Sequence, residues 1–219
     1  MNKNGSPNKI DDTQKIEAAR ETSEALDLLR QHGPAVAIGL VVAVAIFIAI
    51  ILHRHRQEIA RQEASELFAS AQGPQQLEAV IDQYPNSPEA PMALLTLASE
   101  RYDAGEFELA EMHYHQFLDQ FTDHTMRPAA ELGLTHCHEA LGRTEDALNG
   151  FRSFVAAQGD HYLAPLARLG EARVLAQQEN FEAARAIYEE IIDDPESPWQ
   201  AQAQSSLRHM EKDARAQDR

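Results

Sequence analysis

Prolines, alanines and leucines recur at a fixed interval through the C-terminal two thirds of this chain. In three columns the same residue type returns every 37 residues: Pro91, Pro128 and Pro165; Ala93, Ala130 and Ala167; Leu95, Leu132 and Leu169. A period of this length, shared by several independent columns, indicates a repeat architecture in which each copy is one supersecondary unit. Such units bury their apolar faces against one another, so we expect an elongated stack of at least three copies.

The spacing within one copy predicts two helices joined by a short turn. Gly105 and Gly142 keep the interval, and Glu179 stands at the third place. Glycine suits the left-handed conformation that ends many helices, and Asn180 is expected to supply it in the third copy. An alanine and an aromatic residue follow, four positions apart and therefore on one face of the second helix. These pairs are Ala110 with Tyr114, Ala147 with Phe151, and Ala184 with Tyr188.

The repeat region also has atypical ends. Residues 75–84 have the pattern of a second helix whose partner would continue from the preceding segment. Residues 199–212 predict a closing helix, because Ala203 echoes Ala93 at an offset of 110 residues. Solenoids need such end units with polar outer surfaces, so a polar tail at 213–219 fits this plan.

A separate apolar segment precedes the repeats. Residues 35–52, AVAIGLVVAVAIFIAIIL, contain no charged, amide or hydroxyl side chain. As a helix these residues would be about 27 Å long, close to the hydrocarbon thickness of a bilayer. Gly33-Pro34 predicts the start of this helix, and Ala35, Gly39 and Ala43 form a small-residue face that could admit a second helix. A buried core helix and a cleaved signal peptide are the alternatives.

The charges that flank the apolar segment do not settle its orientation. Three Lys or Arg residues lie within about twenty residues on each side: Lys15, Arg20 and Arg30 before it, and Arg54, Arg56 and Arg61 after it. Positive charge favours the cytoplasmic side, and Lys3 and Lys9 give the N-terminus a small surplus. The sequence therefore predicts a cytoplasmic tail at 1–33, partly disordered, a transmembrane helix at 34–53, a helical connector at 54–73 and the repeats at 74–212.

The charge balance of the chain argues against nucleic-acid binding. The chain carries 19 Lys and Arg against 35 Asp and Glu, and 11 against 26 of these lie from residue 74 onward. A domain this acidic is a poor binder of nucleic acid, because phosphate contacts require positive charge. The single cysteine, Cys137, is expected to be a core residue, with a reactive thiol as the alternative.

No cofactor or metal site is predicted. His113 and His115 are two residues apart, as are His136 and His138, so the members of each pair point to opposite sides of a helix. Phosphate-binding, dinucleotide-binding and nucleophile-elbow motifs are missing, and we expect no enzyme activity.

The columns resemble the tetratricopeptide repeat. The matching features are a small residue in the first helix (Ala98, Thr135, Ala172), the turn glycine, and the later alanine and aromatic. The resemblance implies an all-α solenoid whose first helices form a concave protein-binding face. That face would include Met92, Leu95, Ser99, Tyr102, Ala129, Leu132, His136, Glu139, Leu166, Leu169 and Arg173. An apolar groove floored by the three leucines is one interpretation, and leucines that simply pack between helices are the other.

The layout of the chain resembles a second family. A short charged tail, the segment LLRQHG (Leu28 to Gly33), one span and then repeats are similar to the ancillary Sec-translocon subunits of bacteria. This resemblance implies a single-pass inner-membrane protein with a periplasmic repeat domain, which assists secreted proteins beside the translocon or with envelope chaperones. A cytoplasm-facing scaffold and a structural role in envelope assembly or division are the alternatives. The oligomeric state is left open.

Overall fold

The computed structural model describes the backbone of residues 9–217 and the side chains of residues 38–216. Over this range the secondary structure is helical, which confirms the all-α prediction. The helices are α1 (Lys9–Ala69), α2 (Pro74–Gln83), α3 (Glu89–Asp103), α4 (Phe107–Gln120), α5 (Arg127–Ala140), α6 (Thr144–Ala157), α7 (Ala164–Gln177), α8 (Phe181–Asp193) and α9 (Gln200–Gln217). The chain divides into two compact units, Met1–Ile59 and Ala60–Arg219.

The first unit consists of α1 up to Ile59. This helix passes through Gly33-Pro34 without interruption, so it does not begin at Pro34 as the sequence suggests. From Ile38 onward α1 is long and apolar enough to cross a membrane, with a mean hydropathy of 2.2 in its most apolar window. Its large apolar side chains between Ile38 and Leu52 are 48% to 68% exposed.

Two predictions for this unit reach beyond what the structure describes. The predicted disordered tail includes residues 1–8, which lie outside the described residues. In the small-residue face, the side chain of Ala35 also lies outside them. Gly39 is exposed, and a Cβ placed on it would meet no atom within 4 Å. Ala43 is exposed one turn further along the same helix.

The second unit, Ala60–Arg219, is the repeat domain. Each helix from α2 to α9 packs on the next one along the chain, and α3–α4, α5–α6 and α7–α8 are the three helix pairs of the repeat. In addition α3 contacts α5, α5 contacts α7, and α7 contacts α9, whereas no such contact joins α4, α6 and α8 within the described range. The first helices are therefore closer together than the second helices. The domain curves with its first helices on the inner, concave side.

The close contacts between successive copies depend on glycine. A Cβ on Gly133 would lie 2.3 Å from Cζ of Tyr114, and one on Gly170 would lie 2.4 Å from Cε1 of Phe151. The aromatic side chain of one copy thus packs directly against the backbone of the first helix of the next. The alanines of the second helices, Ala110, Ala147 and Ala184, are fully buried.

All three turns within the helix pairs have the same backbone conformation. Gly105 has φ +78°, Gly142 has φ +71° and Glu179 has φ +61°. In each turn the next residue donates its backbone N–H to a carbonyl five residues back, as Glu106 does to Arg101 at 2.9 Å. This is the Schellman arrangement, which satisfies the last carbonyls of a helix. In the third copy Glu179 itself takes the left-handed position. Asn180, expected to supply it, has φ −83°.

The last turns of α1 and helix α2 form an incomplete first pair. Leu67 and Phe68 pack on a cluster that includes Leu77 and Val80 of α2. The hydroxyl of Tyr84 donates a hydrogen bond to Glu63 at 3.1 Å. This arrangement agrees with the expected partner helix that continues from the apolar segment.

Helix α9 closes the stack at the other end. Ala203 is fully buried and Met210 is 5% exposed, so α9 packs one stripe on α7 and α8. The helix continues to Gln217, past the boundary expected at residue 212. The residues beyond 212 are polar but include alanine, arginine and glutamine, which are good helix formers.

Candidate protein-binding groove

The repeated leucines predicted for the concave face are buried. Leu95 is 9% exposed, Leu132 is 5% and Leu169 is 3%, and each belongs to the hydrophobic core. They offer little surface to a ligand, so their burial favours the interpretation that they pack between helices. The accessible surface of the groove is formed by other columns.

The remaining predicted residues are at least partly accessible. Met92 and Ser99 on α3 are exposed, and Leu166 at the start of α7 is half-buried, as is Ala129 on α5. Tyr102, His136, Glu139 and Arg173 are half-buried, and these four lie together. They line one pocket of 580 Å³ with Ala140 and Gln177. The pocket lies where α3, α5 and α7 meet, in the middle of the concave face.

Glu139 and Arg173 form an ion pair across the pocket. Nη2 of Arg173 donates to Oε2 of Glu139 at 2.6 Å, and Nε of Arg173 donates to the other carboxylate oxygen. The two bonds make a planar fork between adjacent copies of the repeat, which is the strong geometry for an arginine–carboxylate pair. The Glu139 side chain is only 9% exposed and that of Arg173 is 43% exposed. The carboxylate is therefore held inside, and the guanidinium edge faces the groove.

The ion pair fixes the charge of both groups. Burial works to raise the pKa of the Glu139 carboxyl, but the hydrogen bonds and charges of Arg173 and His136 hold that pKa below its ordinary value. The hydrogen bonds that Arg173 donates to Glu139 likewise keep the pKa of Arg173 raised. Burial raises the pKa of the Tyr102 hydroxyl, so Tyr102 stays neutral and can donate or accept a hydrogen bond.

His136 connects the pocket to the core. Its Nδ1 lies 3.5 Å from Oε2 of Glu139 and 3.4 Å from Nη2 of Arg173. The imidazole ring meets Phe151 edge to face, with 5.0 Å between ring centroids. The packing against Phe151 orients the ring, so the polar floor of the pocket is held in one arrangement.

A second pocket continues the groove toward the C-terminal end. It has a volume of 760 Å³ and shares Arg173 and Gln177 with the first pocket. Helix α9 contributes a polar side to it, with Ser205, Ser206, Arg208, His209, Lys212 and Asp213, and the apolar side comes from Phe181, Tyr188 and Met210. The two pockets together form a groove along α3, α5, α7 and α9. Its C-terminal end carries both signs of charge, with Arg208 and Lys212 beside Glu179 and Asp213.

Sequence reasoning missed the contribution of α9. The signal was present, because the offset of 110 residues that relates Ala93 to Ala203 also relates Ser99 to His209 and Tyr102 to Lys212. Ala140 and Gln177 were missed because they lie one residue after the predicted column that contains Tyr102 and Glu139. Both are exposed at the end of a first helix.

The groove has the chemistry of a binding surface. It offers a neutral phenol, an amide, hydroxyls, fixed charges and an apolar patch.

Cys137 lies on α5 but is fully buried, and burial raises the pKa of its thiol to about 12. A thiol with this pKa is protonated at neutral pH and is a poor nucleophile.

Comparison with known proteins identifies the fold. Nine chains of solved structures are similar to this chain. One is the crystal structure of a tetratricopeptide repeat protein from Parabacteroides merdae, with a TM-score of 0.51 and 18% identity over 72% of this chain. The match covers 60% of that protein, and at this identity it shows the fold alone. No curated protein sequence matches. The model of the tetratricopeptide repeat-like domain matches residues 27–193. Because that range is most of the chain, the protein belongs to the tetratricopeptide repeat-like domain family.

Proposed function

We propose that this protein is a membrane-anchored adaptor whose concave groove binds extended segments of other proteins. The observation that carries the proposal is the continuous groove along α3, α5, α7 and α9, with a fixed polar floor at Glu139 and Arg173. Repeats of this family form protein–protein interaction modules. The fold is typical of non-catalytic scaffolds, and the proposal includes no enzyme activity and no nucleic-acid partner.

The dimensions of the groove suit an extended ligand. Adjacent helices pack 8–10 Å apart, so four first helices present a surface about 30 Å long. An extended segment rises about 3.3 Å per residue, so roughly nine residues would span this surface. The groove offers hydrogen-bonding groups for a backbone, and Phe181, Tyr188 and Met210 offer an apolar patch for side chains. Because ordering a flexible segment offsets much of the contact free energy, we expect weak and transient binding.

The charge of the domain adds selectivity to this binding. From residue 74 onward the chain has 26 Asp and Glu against 11 Lys and Arg. Such a surface attracts basic segments, and salt should weaken that attraction. At the C-terminal end Arg208 and Lys212 stand beside Glu179 and Asp213, so that end offers partners for both basic and acidic groups.

The apolar part of α1 is the proposed membrane anchor. None of its most apolar window is buried within the structure, and the family match begins at residue 27, ahead of this segment. A helix with so much exposed apolar surface is unfavourable in water and favourable in lipid. The small-residue face at Ala35, Gly39 and Ala43 leaves room for a neighbouring membrane helix.

We place the repeat domain in the periplasm of a bacterial inner membrane, beside the Sec translocon or envelope chaperones. Support comes from the small surplus of lysine before the span and from the resemblance of the layout to ancillary translocon subunits. The clients would be secreted or envelope proteins in an unfolded state. An open groove that offers hydrogen-bonding groups and an apolar patch fits such varied clients.

A pair of reporter fusions tests the topology. A reporter active only in the periplasm, fused after Arg219, should be active in the bacterial host. The matched fusion of a reporter active only in the cytoplasm should be inactive. The opposite result would refute the periplasmic assignment and support the cytoplasm-facing scaffold.

A pair of alanine substitutions tests the groove. Ala140 lines the central pocket and is exposed, so Ala140→Trp should block the groove without disturbing the core. Ala186 is also exposed, lies on α8 outside both pockets, and Ala186→Trp is the matched control. Binding of a permanently unfolded model protein to the full-length protein in nanodiscs should weaken at least tenfold for Ala140→Trp only. Equal affinity in the two variants would overturn the groove.

A further inference from the structure

A histidine from each of two neighbouring helices meets the same carboxylate on the outside of the repeat domain. Glu111 and His115 lie one turn apart on α4, and His138 lies on α5. Nε2 of His138 is 3.3 Å from Oε1 of Glu111, and Nε2 of His115 is 3.9 Å from the same oxygen. All three potential ligand atoms lie within 4.8 Å of one another.

We propose that Glu111, His115 and His138 bind a zinc ion. Zinc bonds to histidine nitrogen and carboxylate oxygen are about 2.0–2.2 Å long, so ligand atoms around a tetrahedral ion stand about 3.4 Å apart. The two distances to Oε1 lie close to this value. Two imidazoles and a carboxylate suit zinc, whereas calcium and magnesium prefer oxygen ligands alone.

The environment of Glu111 prepares it to act as a ligand. Arg143, in the turn between α5 and α6, donates a hydrogen bond to Oε2 of Glu111. This bond leaves Oε1 directed at the histidines and orients the carboxylate, as outer partners do in metal sites. A glutamate carboxylate is ionised at neutral pH, so Oε1 is available as a ligand atom.

The three side chains differ in exposure in a way that suits ion entry. His138 and Glu111 are 19% and 17% exposed, whereas His115 is 54% exposed. Two ligands are thus held by the helix contact, and the third can turn to admit an ion. The exposed side leaves a coordination position for water. The positive charge of Arg143 opposes cation binding, and the excess of acidic residues in the domain favours it.

The site links two copies of the repeat. Helix α4 is the second helix of one pair, and α5 is the first helix of the next. Zinc would therefore clamp the two copies together and stabilise the folded domain by RT ln(1 + c/Kd), where c is the free zinc concentration.

Equilibrium dialysis of the full-length protein, without an affinity tag and in detergent micelles, tests the site with zinc alone. We expect one zinc per chain bound more tightly than any other. His115→Gln and His138→Gln should each weaken this binding at least tenfold. His209→Gln is the matched control, because His209 faces Asp213 at 3.8 Å on the exposed surface of α9 without a second histidine. It should leave the tight binding unchanged.

Thermal unfolding, followed by circular dichroism, provides the second measurement. Without zinc, His115→Gln should melt within about 2 °C of the unmodified protein, because this side chain is mostly exposed. Zinc should raise the melting temperature of the unmodified protein and of His209→Gln, but not of His138→Gln. Absence of a tight site, equal binding by all variants, or one zinc per two chains would each overturn the proposal.

Discussion

The contact between Phe151 and Gly170 gives a sharp prediction about how the repeats stack. A Cβ at residue 170 would lie 2.4 Å from both Cε1 and Cζ of Phe151, about 1 Å inside ordinary van der Waals contact. Phe151 is fully buried, so its ring cannot move away into solvent. Gly170→Ala should therefore force the two copies of the repeat apart.

The magnitude follows from two opposing effects. Overpacking a buried site typically costs about 1–3 kcal/mol. Replacing glycine by alanine inside a helix returns roughly 0.5–1 kcal/mol, because the unfolded chain loses conformational freedom. An overlap of about 1 Å with a fully buried ring places this change in the upper part of the first range, about 2–3 kcal/mol, so the net loss in the free energy of unfolding is about 1–2.5 kcal/mol. For a domain of this size the melting temperature should fall by roughly 2–10 °C.

A double mutant identifies the cause of the loss. Phe151→Leu removes the ring atoms that the new methyl group would meet and leaves space beside residue 170. Phe151→Leu with Gly170→Ala should therefore be at least as stable as Phe151→Leu alone. Gly39→Ala is the matched control for the chemical change, because a Cβ there meets nothing within 4 Å and should not alter the melting of the repeat domain. Chemical denaturation of the unmodified protein, the two single variants at residues 151 and 170 and the double mutant gives the coupling free energy between the two positions. If Gly170→Ala is as stable as the unmodified protein, or costs the same with either residue at 151, the packing argument is refuted.

Three further predictions concern the core, a turn and the groove. Leu132→Ala should lower the free energy of unfolding by about 2–4 kcal/mol, measured by denaturant titration, because the side chain is 5% exposed; a loss below about 1 kcal/mol would mean that it faces the groove. Glu179→Gly should raise the free energy of unfolding by up to about 1 kcal/mol in the same assay, because Glu179 has φ +61° and a glycine carries no steric cost there; a loss of stability would contradict this. Because the pKa of Glu139 is lowered in the folded state, the ionised carboxylate contributes fully to stability above the ordinary glutamate pKa, and this contribution is lost as the pH falls through the folded-state pKa. Glu139→Gln should therefore make the free energy of unfolding depend less steeply on pH in the acid range. An unchanged slope would contradict the role of the ion pair with Arg173.

Much of the fold could be predicted from the sequence because repeats carry local and periodic information. Pro91, Pro128 and Pro165 mark the first helices, and Gly105 and Gly142 mark the turns, because each requirement is satisfied within a few residues of chain. The same locality explains why the apolar segment at 35–52 stands out. The third turn shows where residue preferences stop being decisive, since Glu179 adopts the conformation that its neighbours impose.

The candidate site was only partly predictable. Tyr102, His136, Glu139 and Arg173 were predicted on the concave face and do lie together, because the period of 37 residues places equivalent positions side by side. The leucine column has the same period, yet it is buried. Periodicity reveals which residues share a face, but a difference of one position decides whether that face meets solvent or the next helix.

The sequence by itself determined the all-α repeat architecture and its period of 37 residues. These depend on patterns within about 40 residues, which a single chain displays directly. Only the tertiary structure decided which side chains meet across helices: Arg173 with Glu139, Phe151 with Gly170, and His115 with His138 around Glu111. Within α4, His113 and His115 point in opposite directions, and within α5 His136 and His138 do the same. The packing of α4 on α5 brings His115 and His138 together, and this packing depends on side chains along the whole contact between the two helices.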